Sequence, residues 1–329
     1  MALSSSASKF KNPVLDFYNK HLTARSAINF SAQEQAINKT AFTTLLSSSS
    51  REDIEEFLTN GGVRAISQLY SSGLDLLSLL FEKVDVNFAG QNGDSLLHEA
   101  VRTGQFKLVS TLIETWKAHV NAENSFSQTP LHLACLNKDS LTVEFLLTKG
   151  AVCSPDKEGN TPLHNVFAEA DEESIAIVNL FVGTFGAEVL KEKNSRLVAP
   201  FHLAYFSGNK KVFEACFARN PSAIHIPFGS NRYMLLHYAS ERGFLDQVQW
   251  LVEQGADINA CDSCGRTPLA IALKFGKAPE VCAFLQECVS AKDPTLDAVG
   301  GATPPDLRSV PVDSSGVSGQ SSSESGMDS

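Results

Sequence analysis

The sequence lacks an excess of positive charge, a long apolar run and an even set of cysteines. Its 329 residues carry a formal net charge of −10 with 27 Lys and Arg. That balance argues against binding a phosphate backbone as the main activity. The densest apolar stretch, Leu74 to Phe81, falls far short of the roughly 18 residues a membrane-spanning helix needs. No apolar block with a cleavage site stands at the start of the chain, so a signal peptide is not expected. The 7 cysteines are odd in number and spread from Cys135 to Cys288, which suits a reducing compartment better than a disulfide framework. Catalytic signatures are missing too. There is no Gly-x-x-x-x-Gly-Lys loop, no Gly-x-Gly-x-x-Gly opening a helix, no Gly-x-Ser-x-Gly elbow and no His-Glu-x-x-His. What remains is 43% apolar residues, enough for a large core in two domains or one long one.

The ends differ from the middle. Residues 1–50 carry a net +3 and ten serines; residues 290–329 carry a net −4, ten serines, five glycines and four prolines. A tail so poor in large apolar groups cannot offset its chain entropy, so residues 290–329 are expected to be disordered. In the first segment Val14, Leu15, Phe17, Tyr18 and Leu22 form one face of a short helix, so residues 1–50 are read as partly helical. A cap extension is preferred over a transit segment, because Asp16 interrupts the apolar face and Arg25 is the sole arginine there. Ser321–Ser325 around Glu324 would suit an acid-directed kinase.

The middle repeats. Ser95-Leu96-Leu97-His98-Glu99-Ala100 is followed by Thr129-Pro130-Leu131-His132-Leu133-Ala134, and then by Thr161-Pro162-Leu163-His164. Ala199-Pro200-Phe201-His202-Leu203-Ala204, Met234-Leu235-Leu236-His237-Tyr238-Ala239 and Thr267-Pro268-Leu269-Ala270-Ile271-Ala272 complete the series. The histidine, or Ala270 in its place, advances by 34, 32, 38, 35 and 33 residues. Six residues after it stand Gly104, Gly208, Gly243 and Gly276. An aliphatic stripe follows at helical spacing, for instance Leu108, Val109, Leu112 and Ile113. Gly150 and Gly255, eighteen residues after the histidine, have the place of left-handed helix caps. Each unit thus reads as a short helix, a glycine turn, a second helix and a hairpin-like loop.

Box, glycine, stripe and period together resemble the ankyrin repeat. The resemblance covers residues 91–289 as six repeats. Residues 51–90, with Leu76, Leu77, Leu79, Leu80 and Phe81 and then Asp85-Val86-Asn87, read as a degenerate capping repeat. The resemblance implies an all-α solenoid of paired antiparallel helices with hairpin-like loops, flanked by flexible ends. The third repeat has five extra residues, and its acidic Ala168–Ser174 stretch predicts a longer turn between its helices. The stack is expected to be least regular from the third to the fifth repeat.

The box histidines recur at intervals that set their rings roughly 10 Å apart, too far for one zinc with bonds of about 2.1 Å. They are expected to tie neighbouring loops by hydrogen bonds. Cys261-x-x-Cys264 with Cys282 and Cys288 has the spacing of a four-thiolate site. Packing already accounts for these positions, so ordinary apolar use is preferred to zinc or a reactive thiol, and no metal or cofactor is expected.

The resemblance implies a non-catalytic module that binds one or more proteins on its concave groove, with no nucleic acid, membrane or small-molecule substrate. A substrate adaptor of a ubiquitin-ligase-type complex and an effector of an intracellular bacterium are the alternatives; the ends show no clear F-box-like or SOCS-box-like pattern. The compartment expected is the cytoplasm, with a host cytoplasm for an effector and the nucleus as further options. Positions one, four and five after the box histidine face the groove. There the fourth and fifth repeats place Leu203, Phe206, Ser207, Tyr238, Glu241 and Arg242, and the preceding loop adds Arg232 and Tyr233. Aromatic and arginine side chains concentrate at binding hot spots. Phe206, Arg232, Tyr233, Tyr238 and Arg242 are therefore the candidate partner anchor.

Overall fold

The computed structural model describes residues 12–21, 32–71, 77–276 and 278–292. The expectations for Ser4–Ser6, Leu22, Leu74, Leu76 and the chain beyond residue 292, with its serine cluster, lie outside these residues. Helices α1 (Pro13–His21), α2 (Ala32–Ser48) and α3 (Arg51–Phe57) open the chain, and a π turn over Leu58–Gly62 joins α3 to α4 (Val63–Ser71). Val14 is fully buried, and Phe42 sits 6.2 Å from Phe17 and 5.9 Å from Phe57 between ring centroids. This apolar seam holds α1 against α2 and α3. Next, α4 packs on the first helix of the first repeat, and α5 (Leu77–Phe81) precedes the turn at Asp85 and Asn87. Asn87 Oδ1 accepts the His119 N–H at 2.7 Å, which ties this unit to the next loop.

The repeats follow as helix pairs. They are α6 (Leu96–Arg102) with α7 (Phe106–Glu114), and α8 (Pro130–Leu136) with α9 (Ser140–Thr148). In the third repeat a 3-10 helix, Pro162–Phe167, pairs with α10 (Glu172–Phe185). Then come α11 (Pro200–Phe206) with α12 (Lys210–Arg219), α13 (Leu235–Arg242) with α14 (Leu245–Glu253), and α15 (Pro268–Phe275) with α16 (Pro279–Lys292). The last runs three residues past position 289. The described residues contain no strand, only an isolated antiparallel bridge between Phe228 and Tyr233. One apolar cluster runs from Val14 to Leu285, because each aliphatic stripe is buried between neighbouring repeats. The fold is an all-α solenoid. Gly150 and Gly255 end α9 and α14 at φ of 86° and 89°, the left-handed geometry that glycine adopts without steric cost.

The longer turn expected in the third repeat is not what forms. Helix α10 begins eight residues after His164, just as α7 and α9 begin eight after His98 and His132. The five added residues lengthen the helix instead: α10 has 14 residues where α7 and α9 have 9. Local chemistry explains this. Asp171 caps the helix by accepting the Ser174 N–H at 3.1 Å, and Glu172 and Glu173 favour the positive end of the helix dipole. The acidic stretch therefore starts a helix rather than extending a turn.

Backbones of successive first helices lie close together along the stack, with one exception. Between the fourth and fifth repeats α11 and α13 do not approach as closely as their counterparts do. Aromatic side chains fill that junction.

Candidate protein-binding groove

The loops that precede each first helix form a ladder. In four of them an Asp or Asn eight residues before the box position folds the loop on itself. Asn124, Asp156, Asn194 and Asp262 each accept two backbone N–H groups through Oδ1 at 2.8–3.0 Å. Neighbouring loop tips then join by N–H to carbonyl bonds, such as Ser125 to Asn92 at 2.7 Å and Ser195 to Glu158 at 3.0 Å.

The box histidines bind these loops to the helices. In all five, Nδ1 accepts the backbone N–H three residues upstream at 3.0–3.2 Å. Nε2 lies 2.9–3.1 Å from a carbonyl of the following loop: Gln128, Asn160, Val198, Ile226 or Arg266. A backbone N–H only donates and a carbonyl only accepts, so each ring is neutral with its proton on Nε2. Burial holds all five below the usual histidine range, and His202 is pushed down to about 4.

The fifth loop breaks the pattern. Gly229 stands where four of the others have Asp or Asn and the first has Gly90, and the loop closes through reciprocal bonds between Phe228 and Tyr233 at 2.8 and 3.1 Å. This brings both rings to the junction. Phe206, from the end of α11, lies 5.1 Å from Phe228 and 5.0 Å from Tyr238 of α13. Tyr233 stacks on His237 at 5.5 Å, and the Arg242 guanidinium lies 5.3 Å from the Tyr238 ring centre. Phe206 remains 36% exposed, so it does not pack inward. The structure thus brings Phe206, Tyr233, Tyr238 and Arg242 together. Arg232 stands exposed at the loop tip with φ of 53°, without a ring contact.

Charge separates this end of the groove from the other. In the first repeat Arg102 is neutralised by Glu99 at 2.5 Å and Asp94 at 2.7 Å. Among the described residues no carboxylate comes within ion-pair distance of Arg232 or Arg242. The fifth repeat thus offers two guanidinium groups outside any ion pair beside a half-buried ring cluster. Sequence reasoning missed Phe228 and Tyr205, whose ring lies 6.1 Å from Tyr238. The absent Asp or Asn at position 229, shared only with Gly90 of the first loop, marks a loop that cannot fold on itself as the other four do.

Cys261 and Cys264 lie exposed in the loop before α15, while Cys282 and Cys288 sit on α16. Among the described residues no three His, Cys, Asp or Glu side chains converge as metal ligands would. No described helix is long and apolar enough to cross a membrane.

Helix pairs, loop ladder and box histidines define a repeat solenoid of the ankyrin class. Residues 63–155 match the family model described as ankyrin repeats (3 copies), and residues 236–286 match that described as ankyrin repeats (many copies). The chain contains ankyrin repeats. It is 31% identical over 180 residues to rat NF-kappa-B inhibitor alpha, covering 53% of this chain and 46% of that protein. It is 28% identical over 224 residues to transient receptor potential cation channel subfamily A member 1 of Drosophila melanogaster, covering 64% of this chain and 18% of that one. The chain spans less than half the length of either curated relative. The human ASB11 ankyrin repeat domain superposes with a TM-score of 0.51 at 22% identity, covering 71% of this chain and 96% of that domain, which speaks to the fold alone.

Proposed function

We propose that this chain is a non-catalytic binding module whose partner protein docks on the concave groove at the fourth and fifth repeats. Phe206, Arg232, Tyr233, Tyr238 and Arg242 are its anchors. One observation carries the reading: a half-buried aromatic cluster with Phe206 exposed, beside two arginines outside any ion pair, at the junction where the first helices stand furthest apart. Rings held by other rings lose little entropy on binding, and arginine adds forked donors to a partner carboxylate. The relative named as an inhibitor of NF-kappa-B has, by that name, a protein as its target. The module acts in the cytoplasm; its seven cysteines, odd in number and spread from Cys135 to Cys288, suit a reducing compartment.

The test is capture of a partner by the intact chain carrying a photo-crosslinking residue at Lys274, which is exposed on the next repeat. Alanine at Tyr233 and Tyr238 together should abolish recovery, each change costing about 2 kcal/mol or more of binding. Leu141→Ala, on the exposed flank of α9, should leave it intact. Equal recovery by the double variant, with its thermal midpoint near that of the parent, sinks the groove assignment.

A further inference from the structure

The same junction has an outer side, and it holds a cavity. Between the α11–α12 turn and α14 opens a space of about 120 Å³, lined by Tyr205, Phe213 and Trp250. None of the five groove anchors lines it. The Tyr205 and Phe213 ring centres are 5.1 Å apart with planes at 75°, and those of Phe213 and Trp250 are 5.2 Å apart with planes at 60°. These rings pack at steep angles on one another and line the space together. Further contacts fix the walls. The Tyr205 hydroxyl donates to Gln247 Oε1, and Phe217 packs on Trp250 at 5.2 Å.

The rim carries charge. Glu214 and Asp246 line the cavity together with Lys210. Lys210 lies 3.7 Å from Glu214, with its side chain 78% exposed, so it is free to swing away. Asp246, in the first turn of α14, has no ion pair among the described residues. The rim is therefore net negative over an aromatic floor.

We propose that this cavity binds a methylated ammonium group. Aromatic faces are negative and attract cations, and the attraction grows as the cation is stripped of water. Methyl groups make an ammonium both larger and easier to desolvate, so it fills an apolar cup that a bare ammonium would leave for water. The space far exceeds the roughly 15 Å³ one water needs, and it accommodates a head of several heavy atoms. Asp246 and Glu214 then supply the countercharge at the rim. The proposal stands apart from the concave groove and survives the failure of that assignment.

Trp250 itself reports on occupancy. The chain has 2 tryptophans, so in full-length protein carrying Trp116→Phe the emission comes from Trp250 alone. Titration with tetramethylammonium, with choline and with a short peptide bearing trimethyllysine should shift that emission saturably. Binding of any of the three supports the site, and the tightest distinguishes a free metabolite from a modified side chain. A peptide carrying the uncharged carbon isostere, with a tert-butyl group in place of trimethylammonium, should bind at least about 10-fold more weakly. Trp250→Leu, read by calorimetry, should weaken the cation by about 10-fold, and Asp246→Asn, on an exposed side chain, by about 3-fold. Lys210→Met should strengthen it. Equal binding of the neutral isostere overturns the proposal, as does weaker binding by the Lys210 variant or an unmoved Trp250 emission at saturating cation.

Discussion

Acid should unlock the stack through its box histidines, and His202 gives the sharpest case. Its Nδ1 accepts the Ala199 N–H and its Nε2 donates to the Ile226 carbonyl, each at 3.0 Å. Protonating Nδ1 would set two donors face to face in a site without solvent. Burial pushes the group from its ordinary value of 6.5 down to about 4, Lys193 and His164 push it the same way, and the Ile226 carbonyl opposes them. The sign follows. Unfolded chain takes up the proton near 6.5 while folded chain refuses it until about 4, so stability falls as pH drops through that window and is fully present above it. The gap corresponds to about 3 kcal/mol. His202→Leu removes the titration but strands the Ala199 N–H and the Ile226 carbonyl, at about 1–3 kcal/mol each. At pH 7 the variant should therefore be less stable than the parent by a few kcal/mol. At pH 4 most of that difference should be gone. Urea unfolding followed by helical circular dichroism at the two pH values measures it, and carboxylate titration common to both proteins cancels. A stability difference that stays constant with pH would refute the neutral-ring argument.

Three further outcomes are expected. A Cβ added at Gly159 would meet the Ser195 backbone nitrogen at 2.8 Å with φ at 77°, whereas one at Gly104 meets open space at φ of 68°. Gly159→Ala should cost about 3 kcal/mol and Gly104→Ala about 1 kcal/mol, read from urea midpoints. Leu197 holds φ of 60° with its side chain 46% exposed, so Leu197→Asn should stabilise by about 0.5–1 kcal/mol and raise the thermal midpoint. With a thiol reagent near neutral pH, exposed Cys261 and Cys264 should react first. Cys135, Cys153 and Cys216, all raised by burial and the latter two to about 12, should react only on unfolding; early modification of Cys216 would contradict this.

The parts of the fold that repeat were readable because repetition multiplies a weak signal. One Thr-Pro-Leu-His is only a short box; its recurrence with glycine and stripe in phase fixes helix, turn and stacking direction together. Composition alone does not decide what the third repeat does with its extra residues. Acidic residues suit an exposed turn and equally suit a helix start, and the deciding feature was Asp171 placed three residues before Ser174. The candidate site was legible only in part for a related reason. Tyr233, Tyr238 and Phe206 announced themselves as aromatic side chains at groove positions. Phe228 did not, because it reaches the cluster through a loop whose closure depends on what position 229 lacks. The spread of the fourth and fifth first helices was also hidden, since it is set by the summed bulk of rings from five segments: α11, α12, the fifth loop, α13 and α14. The box alanines are kept here, Ala204 and Ala239 being as fully buried as Ala100 and Ala134 at a junction whose first helices stand close. At this junction Tyr205, Phe206, Phe213, Tyr238 and Trp250 crowd in, and the helices part. Parting the repeats exposes the cluster on the concave side and leaves the cavity on the outer side. Both candidate sites therefore follow from one local excess of aromatic volume. Trimming that volume should close the outer cavity as the helices draw together, which ties the two surfaces through Tyr205, whose ring contacts both Tyr238 and Phe213.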